Sequence, residues 1–164
     1  MSNSKIKSQK ELEKELISDK QYGKKIVACS GSFDLLHLGH IRFLTGARRF
    51  GDRLIVFLNS DYYIRSTRGK GRPIYNKTTR ARMIAALEAV DYVLAFEGEN
   101  CLHLLRKFKP HVFAQGQDWG LNCIERSVMK ELGGVVRVVK TPRAQRTSDI
   151  IILIKKRYSG KQKF

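Results

Sequence analysis

The chain has 164 residues, 42% of them apolar, and a formal charge of +17 from 32 Lys and Arg against 15 Asp and Glu. That size and apolar fraction are those of a soluble globular chain with one domain and one sizeable core. No run of 18 apolar residues is present to span a membrane, and the polar start Met1-Ser2-Asn3-Ser4-Lys5 does not read as a signal peptide.

In chain order, Leu12, Leu16 and Ile17 predict a short amphipathic helix within a charged N-terminal arm, residues 1–24, packed loosely on the body. Ile26-Val27-Ala28-Cys29, bounded by Ser30 and Gly31, reads as a buried strand. The turn 31–40 leads into a helix over 38–50, where Ile41, Leu44 and Ala47 recur at helical spacing with Arg42 and Arg49 on the other side. Residues 53–58 form a second buried strand, ended by Asn59-Ser60-Asp61, and 65–73 a mobile basic loop containing glycine. Thr78 or Thr79 is expected to cap a helix running through Glu88.

Residues 92–96 give a third strand, and 101–108 a helix stopped by Pro110. A fourth strand, 112–115, closes on Gly116-Gln117-Asp118-Trp119-Gly120. A helix over 124–132 ends at Gly133-Gly134, and 135–139 is the fifth strand. Thr147 or Ser148 then caps a last helix over 150–157, whose five consecutive apolar residues predict deep burial, before a basic tail at 158–164. Five strands alternating with helices predict a single Rossmann-like α/β domain over 25–157, a five-stranded parallel sheet covered on both faces.

Ligands bind such sheets outside the carboxyl ends of the strands. The unusual residues fall there: 31–40 after the first strand, 59–73 after the second, 115–119 after the fourth and 141–148 after the fifth. One crevice built from four loops accounts for that coincidence. The first loop is a strand–turn–helix junction whose helix N-terminus offers unpaired N–H groups to a phosphate. His37 and His40 there can add hydrogen bonds to an oxygen that gains charge during reaction. Residues 42–82 carry 11 Lys and Arg against 2 acids, which attracts phosphates or nucleic acid.

Other readings of these residues are weaker. No third His, Cys or carboxylate lies at zinc-ligand spacing from His37 and His40, so no metal ligands are assigned. His103 and His111 read as structural. Gly69-Lys70-Gly71 is neither a Walker loop nor a dinucleotide fingerprint, because no helix start follows it at once. Cys29, Cys101 and Cys123 are odd in number, share no CxxC and read as core filler in a reducing compartment, the cytoplasm.

His37-Leu38-Gly39-His40, with Gly31-Ser32-Phe33-Asp34 ahead of it, resembles the HxGH signature of the cytidylyltransferase-like nucleotidylyltransferases. The likeness continues through 51–56, Asn59-Ser60-Asp61, Arg72-Pro73, 86–91, 116–119 and Thr147-Ser148, covering roughly residues 25–157. Its nearest branch is the heptose-1-phosphate adenylyltransferases, followed by glycerol-3-phosphate cytidylyltransferase. The resemblance implies that a sugar-phosphate oxygen attacks the α-phosphorus of ATP or CTP, with Mg²⁺, and that pyrophosphate leaves. It also implies a homodimer.

By the same resemblance, His37, His40, Arg68 and Lys70 are catalytic. Gly31, Ser32, Phe33, Asp34, Gly39, Arg80, Gln115, Gly116, Asp118, Trp119, Arg143, Thr147 and Ser148 join the two histidines in binding the nucleotide. Asn59, Asp61 and Arg72 meet the sugar phosphate. The sequence departs from the pattern where Ser32 replaces Cys or Thr, Arg68 replaces Lys, Gln115 replaces Lys and Arg146 replaces Ser. Trp119 is nearer the cytidylyl pattern, whereas Asn59-Ser60-Asp61 and Glu88 are nearer the heptose one. The high positive charge also motivates a different class, a non-catalytic nucleic-acid binder on this fold. Aromatics are not interleaved with its basic runs as single-strand binding favours, so nucleic acid is the less favoured partner.

Overall fold

The computed structural model describes residues 2–141 and 146–159. Five strands, β1 (Ile26–Gly31), β2 (Arg53–Asn59), β3 (Tyr92–Phe96), β4 (Val112–Gly116) and β5 (Val135–Val139), form one parallel sheet in the order β3-β2-β1-β4-β5. Its register runs Ile26↔Arg53 to Gly31↔Leu58 between β1 and β2, and Val112↔Val135 to Gly116↔Val139 between β4 and β5. The expected strands and parallel order are all present.

The period of two along the central strands divides the core. Ile26, Ala28, Ile55 and Phe57 face one layer, built with α1 (Gln9–Gln21), α5 (Leu102–Phe108) and α6 (Glu125–Glu131). Val27, Cys29, Leu54, Val56 and Leu58 face the other, built with α2 (Leu38–Arg48) and α4 (Lys77–Ala85). Gly46 lets α2 approach β5, since a Cβ there would stand 2.5 Å from Val139 Cγ1.

Four expectations are corrected. The N-terminal arm is not loosely packed: Leu12 and Leu16 are buried in the core, Ile6 pairs with Val93, and Asp19 accepts from Arg53 Nε at 2.9 Å and Tyr92 Oη at 2.7 Å. The basic stretch 65–73 begins as helix, because α3 (Asp61–Arg68) is capped by Ser60, whose hydroxyl accepts the Tyr63 amide. The cap of α4 is Asn76, not Thr78 or Thr79, and its carboxamide accepts the Thr79 amide at 2.9 Å. Finally, α7 (Thr147–Tyr158) starts after Arg146 and buries no residue fully, with Ile152 at 62% and Ile154 at 49% exposure. Five consecutive apolar residues point five ways round a helix, 100° apart, so one neighbouring surface cannot cover them all.

Candidate active site

Strand order reverses between β1 and β4, which opens a crevice at their carboxyl ends. A cavity of about 790 Å³ occupies it. Its wall comes from the four predicted loops: 32–40 after β1, Arg68 and Arg72 after β2, 116–119 after β4, and Thr141 with 146–148 after β5.

The β1–α2 loop is the most constrained wall. Phe33 and Leu35 hold φ of 46° and 48°, the left-handed region that residues with a Cβ seldom occupy. Asp34 fixes this loop to the next. Its buried carboxylate accepts from Arg72 Nε at 2.7 Å, Ile74 N at 2.9 Å and Tyr75 N at 3.0 Å. Its carbonyl accepts the Thr147 hydroxyl at 2.8 Å, tying the start of α7 to the same turn. Asp34 thus organises three walls of the cavity.

His37 is the N-cap of α2, its Nδ1 accepting the His40 amide at 3.4 Å. The two imidazoles stack with centroids 3.7 Å apart and planes 20° from parallel. His40 also meets the Phe33 ring edge-on at 5.3 Å, and Phe33 stacks on Phe43. Burial, and then the neighbouring His37, push the His40 pKa down to about 4, against a smaller upward pull from Asp34. Burial also lowers the pKa of His37, with Asp149 opposing. Both rings are therefore neutral near pH 7, where each offers one N–H donor. Among the described residues, His40 Nδ1 is buried without a hydrogen-bond partner.

The structure gathers Ser32, Phe33, Asp34, His37, Gly39, His40, Arg68, Arg72, Gly116, Asp118, Trp119, Thr147 and Ser148 in this one wall. Gly31, Lys70, Asn59, Asp61, Gln115 and Arg80 lie outside it. Gly31 supports the wall from behind, since a Cβ there would stand 2.8 Å from the Phe33 ring. Arg80 is completely buried, so the phosphate contact expected of it is not available in this arrangement. Its guanidinium donates to the carbonyls of Tyr75, Ser32 and Asn59 and to Asp61 Oδ1. Asp61 also accepts the Lys77 amide, so Asp61 and the Asn59 carbonyl hold Arg80 rather than line the cavity. Arg143 lies outside the described residues.

Phe43, Gln117, Thr141 and Arg146 line the cavity without having been assigned to it. Phe43 lies three residues after His40 on α2, a spacing that places it on the same face. Trp119 is 68% exposed and so belongs to the rim, not the core. His111 is structural as expected, its Nδ1 accepting the Ile26 amide at 2.9 Å.

The Cytidylyltransferase-like family model matches residues 28–160. The chain belongs to the cytidylyltransferase-like family. It is thereby a nucleotidyltransferase. It is 39% identical to the bifunctional protein HldE of Pelobacter propionicus over 159 residues, which are 96% of this chain and 33% of that protein. Against the HldE of Aliarcobacter butzleri it is 43% identical over 132 residues, 80% of this chain and 28% of the relative. The chain thus spans about a third of the length of these curated relatives. The crystal structure of a lipopolysaccharide core biosynthesis protein from Thermoplasma volcanium superposes with a TM-score of 0.61 at 28% identity, covering 75% of this chain and all of that one. Among the described residues, no helix is long and apolar enough to cross a membrane.

Proposed function

We propose that this nucleotidyltransferase is an adenylyltransferase that joins ATP to D-glycero-D-manno-heptose 1-phosphate, releasing pyrophosphate and giving ADP-heptose. A single observation carries the reading: the stacked histidines, Arg68, Arg72 and the N-terminus of α7 converge on one cavity at the strand-order reversal. The sequence likeness to heptose-1-phosphate adenylyltransferases, the HldE relatives and the lipopolysaccharide core neighbour support the choice of base and sugar.

In this mechanism a phosphate oxygen of the sugar phosphate attacks the α-phosphorus, and the bond from that phosphorus to the bridging oxygen of pyrophosphate breaks. No covalent enzyme intermediate is required, so positioning and charge stabilisation supply the rate. The neutral N–H groups of His37 and His40 donate to oxygens on which charge builds. The Thr147 and Ser148 amides at the start of α7 receive the β- and γ-phosphates, assisted by the helix dipole. Arg68 and Arg72 neutralise the acceptor phosphate, Lys70 adds positive charge from the same loop outside the wall, and Trp119 offers the base an apolar face.

Among the described residues, no group of three His, Cys, Asp or Glu side chains could hold a metal ion. Asp34 is already saturated by protein donors. Mg²⁺ would accompany the triphosphate as its counter-ion, and no step is assigned to a protein-bound metal. The reading extends to a homodimer, checked by sedimentation equilibrium, and to a cytoplasmic location, which the free thiols of Cys29, Cys101 and Cys123 support.

Trp119, nearer the cytidylyl pattern by resemblance and placed on the cavity rim, favours a second reading, transfer from CTP to glycerol 3-phosphate. Pyrophosphate release separates the two, with ATP and CTP each tested against both anomers of heptose 1-phosphate and against glycerol 3-phosphate. Turnover with ATP and a heptose phosphate is the expected result. Turnover with CTP and glycerol phosphate would move the protein to the second reading, and silence of the folded protein throughout would refute both.

A further inference from the structure

Two carboxylates line the cavity, Asp34 and Asp118. Asp34 is buried and saturated by protein donors. Asp118 is on the rim, its side chain 65% exposed, and pairs with Arg146 across the mouth at 3.5 Å. The partners come from different walls, the loop after β4 and the residue preceding α7. An exposed pair of that length holds weakly, because water screens it and two long side chains must be ordered.

The backbone of Arg146, by contrast, is anchored. Its amide donates to Asp149 Oδ2 at 2.8 Å, and the next residue is tied to the Asp34 carbonyl. Of the three arginines in the wall, Arg72 already donates to Asp34, while Arg146 stands beside the helix start where Thr147 and Ser148 face the cavity. A polyphosphate there carries several negative charges, and a guanidinium can bind it through two donors at once. It would displace a single exposed carboxylate.

We propose that Arg146 is a phosphate-binding residue of this cavity, held in waiting by Asp118 and transferred to the polyphosphate when the nucleotide enters. This rests on the nucleotidyl-transfer reading above. The exchange moves one ion pair and breaks no covalent bond. Arg146→Ala keeps the backbone amide that caps α7, so the helix start survives the substitution.

Titration calorimetry with inorganic tripolyphosphate and with ATP at physiological ionic strength tests it. Arg146→Ala should bind tripolyphosphate about tenfold more weakly, and Arg146→Lys should recover only part of the loss, because the charge returns without the two-donor fork. Arg126→Ala removes the same charge away from the cavity and should change nothing. Asp118→Asn should tighten tripolyphosphate binding by releasing Arg146. Unchanged affinity in Arg146→Ala, an equal loss in Arg126→Ala, or weaker binding in Asp118→Asn would each overturn the inference. If the wild-type protein binds neither probe, the nucleotidyl-transfer reading falls, and the inference with it.

Discussion

At the scale of single residues, the site is dominated by groups whose environment fixes their charge. A stacked, half-buried imidazole pair resists protonation, since a charged ring loses hydration and a charge on His37 repels one on His40. His40 has a folded-state pKa of about 4 against 6.5 for an ordinary histidine, so between those values the unfolded chain binds the extra proton. Stability should therefore be lost as pH falls from 6.5 towards 4, and His40→Gln should flatten that part of the profile in thermal unfolding series. An equally steep profile in the variant would remove His40 as the cause. In catalysis, His37→Ala and His40→Ala should each lower kcat by about 10²–10³, measured as pyrophosphate release from variants with native circular dichroism. Folded variants with full activity would refute the roles given to these rings.

At the scale of elements, Arg80 illustrates how a residue type and its position can point to different roles. An arginine in a basic stretch resembling a nucleotide-binding family reads as a phosphate ligand. Here it clamps three carbonyls and Asp61, joining the ends of β1 and β2 to α4. Arg80→Ala should cost about 3–5 kcal/mol in urea unfolding without any ligand, by leaving Asp61 and the carbonyls without their buried partner. A stable variant with impaired nucleotide binding would restore the phosphate role. The β-strands and the crevice were legible in the sequence, because apolar runs and glycine-rich strand ends are local signals. The helix α3 was not, since one buried residue, Ile64, gives no apolar period and only the Ser60 cap marks its start. Nor was the fate of α7, since its Ile150-Ile151-Ile152-Leu153-Ile154 run states hydrophobicity but not which neighbour covers it. The clamp on Asp34 was hidden too, because its partners lie about 40 residues away in sequence.

At the scale of the whole molecule, the +17 charge must be weighed against its layout in space. The block 42–82 reads as one basic stripe in sequence, yet folding pairs Arg48 and Arg53 with Asp91, Arg72 with Asp34, Lys77 with Glu97 and Arg80 with Asp61. Five of the block's 11 cations are thus paired, and Arg68 of the block opens on the cavity, where Arg146 also stands. A field concentrated at a concave site steers small polyanions more than it grips a long backbone. The value of kcat/KM for the nucleotide should therefore fall as salt rises, through screening of encounter, while kcat at saturating substrate changes little. Random RNA should show no measurable affinity near physiological salt, because aromatics are not interleaved with the basic runs to stack single-stranded bases. Tight, steeply salt-dependent RNA binding by the folded chain, together with a salt-insensitive kcat/KM, would reverse that order and favour a nucleic-acid partner.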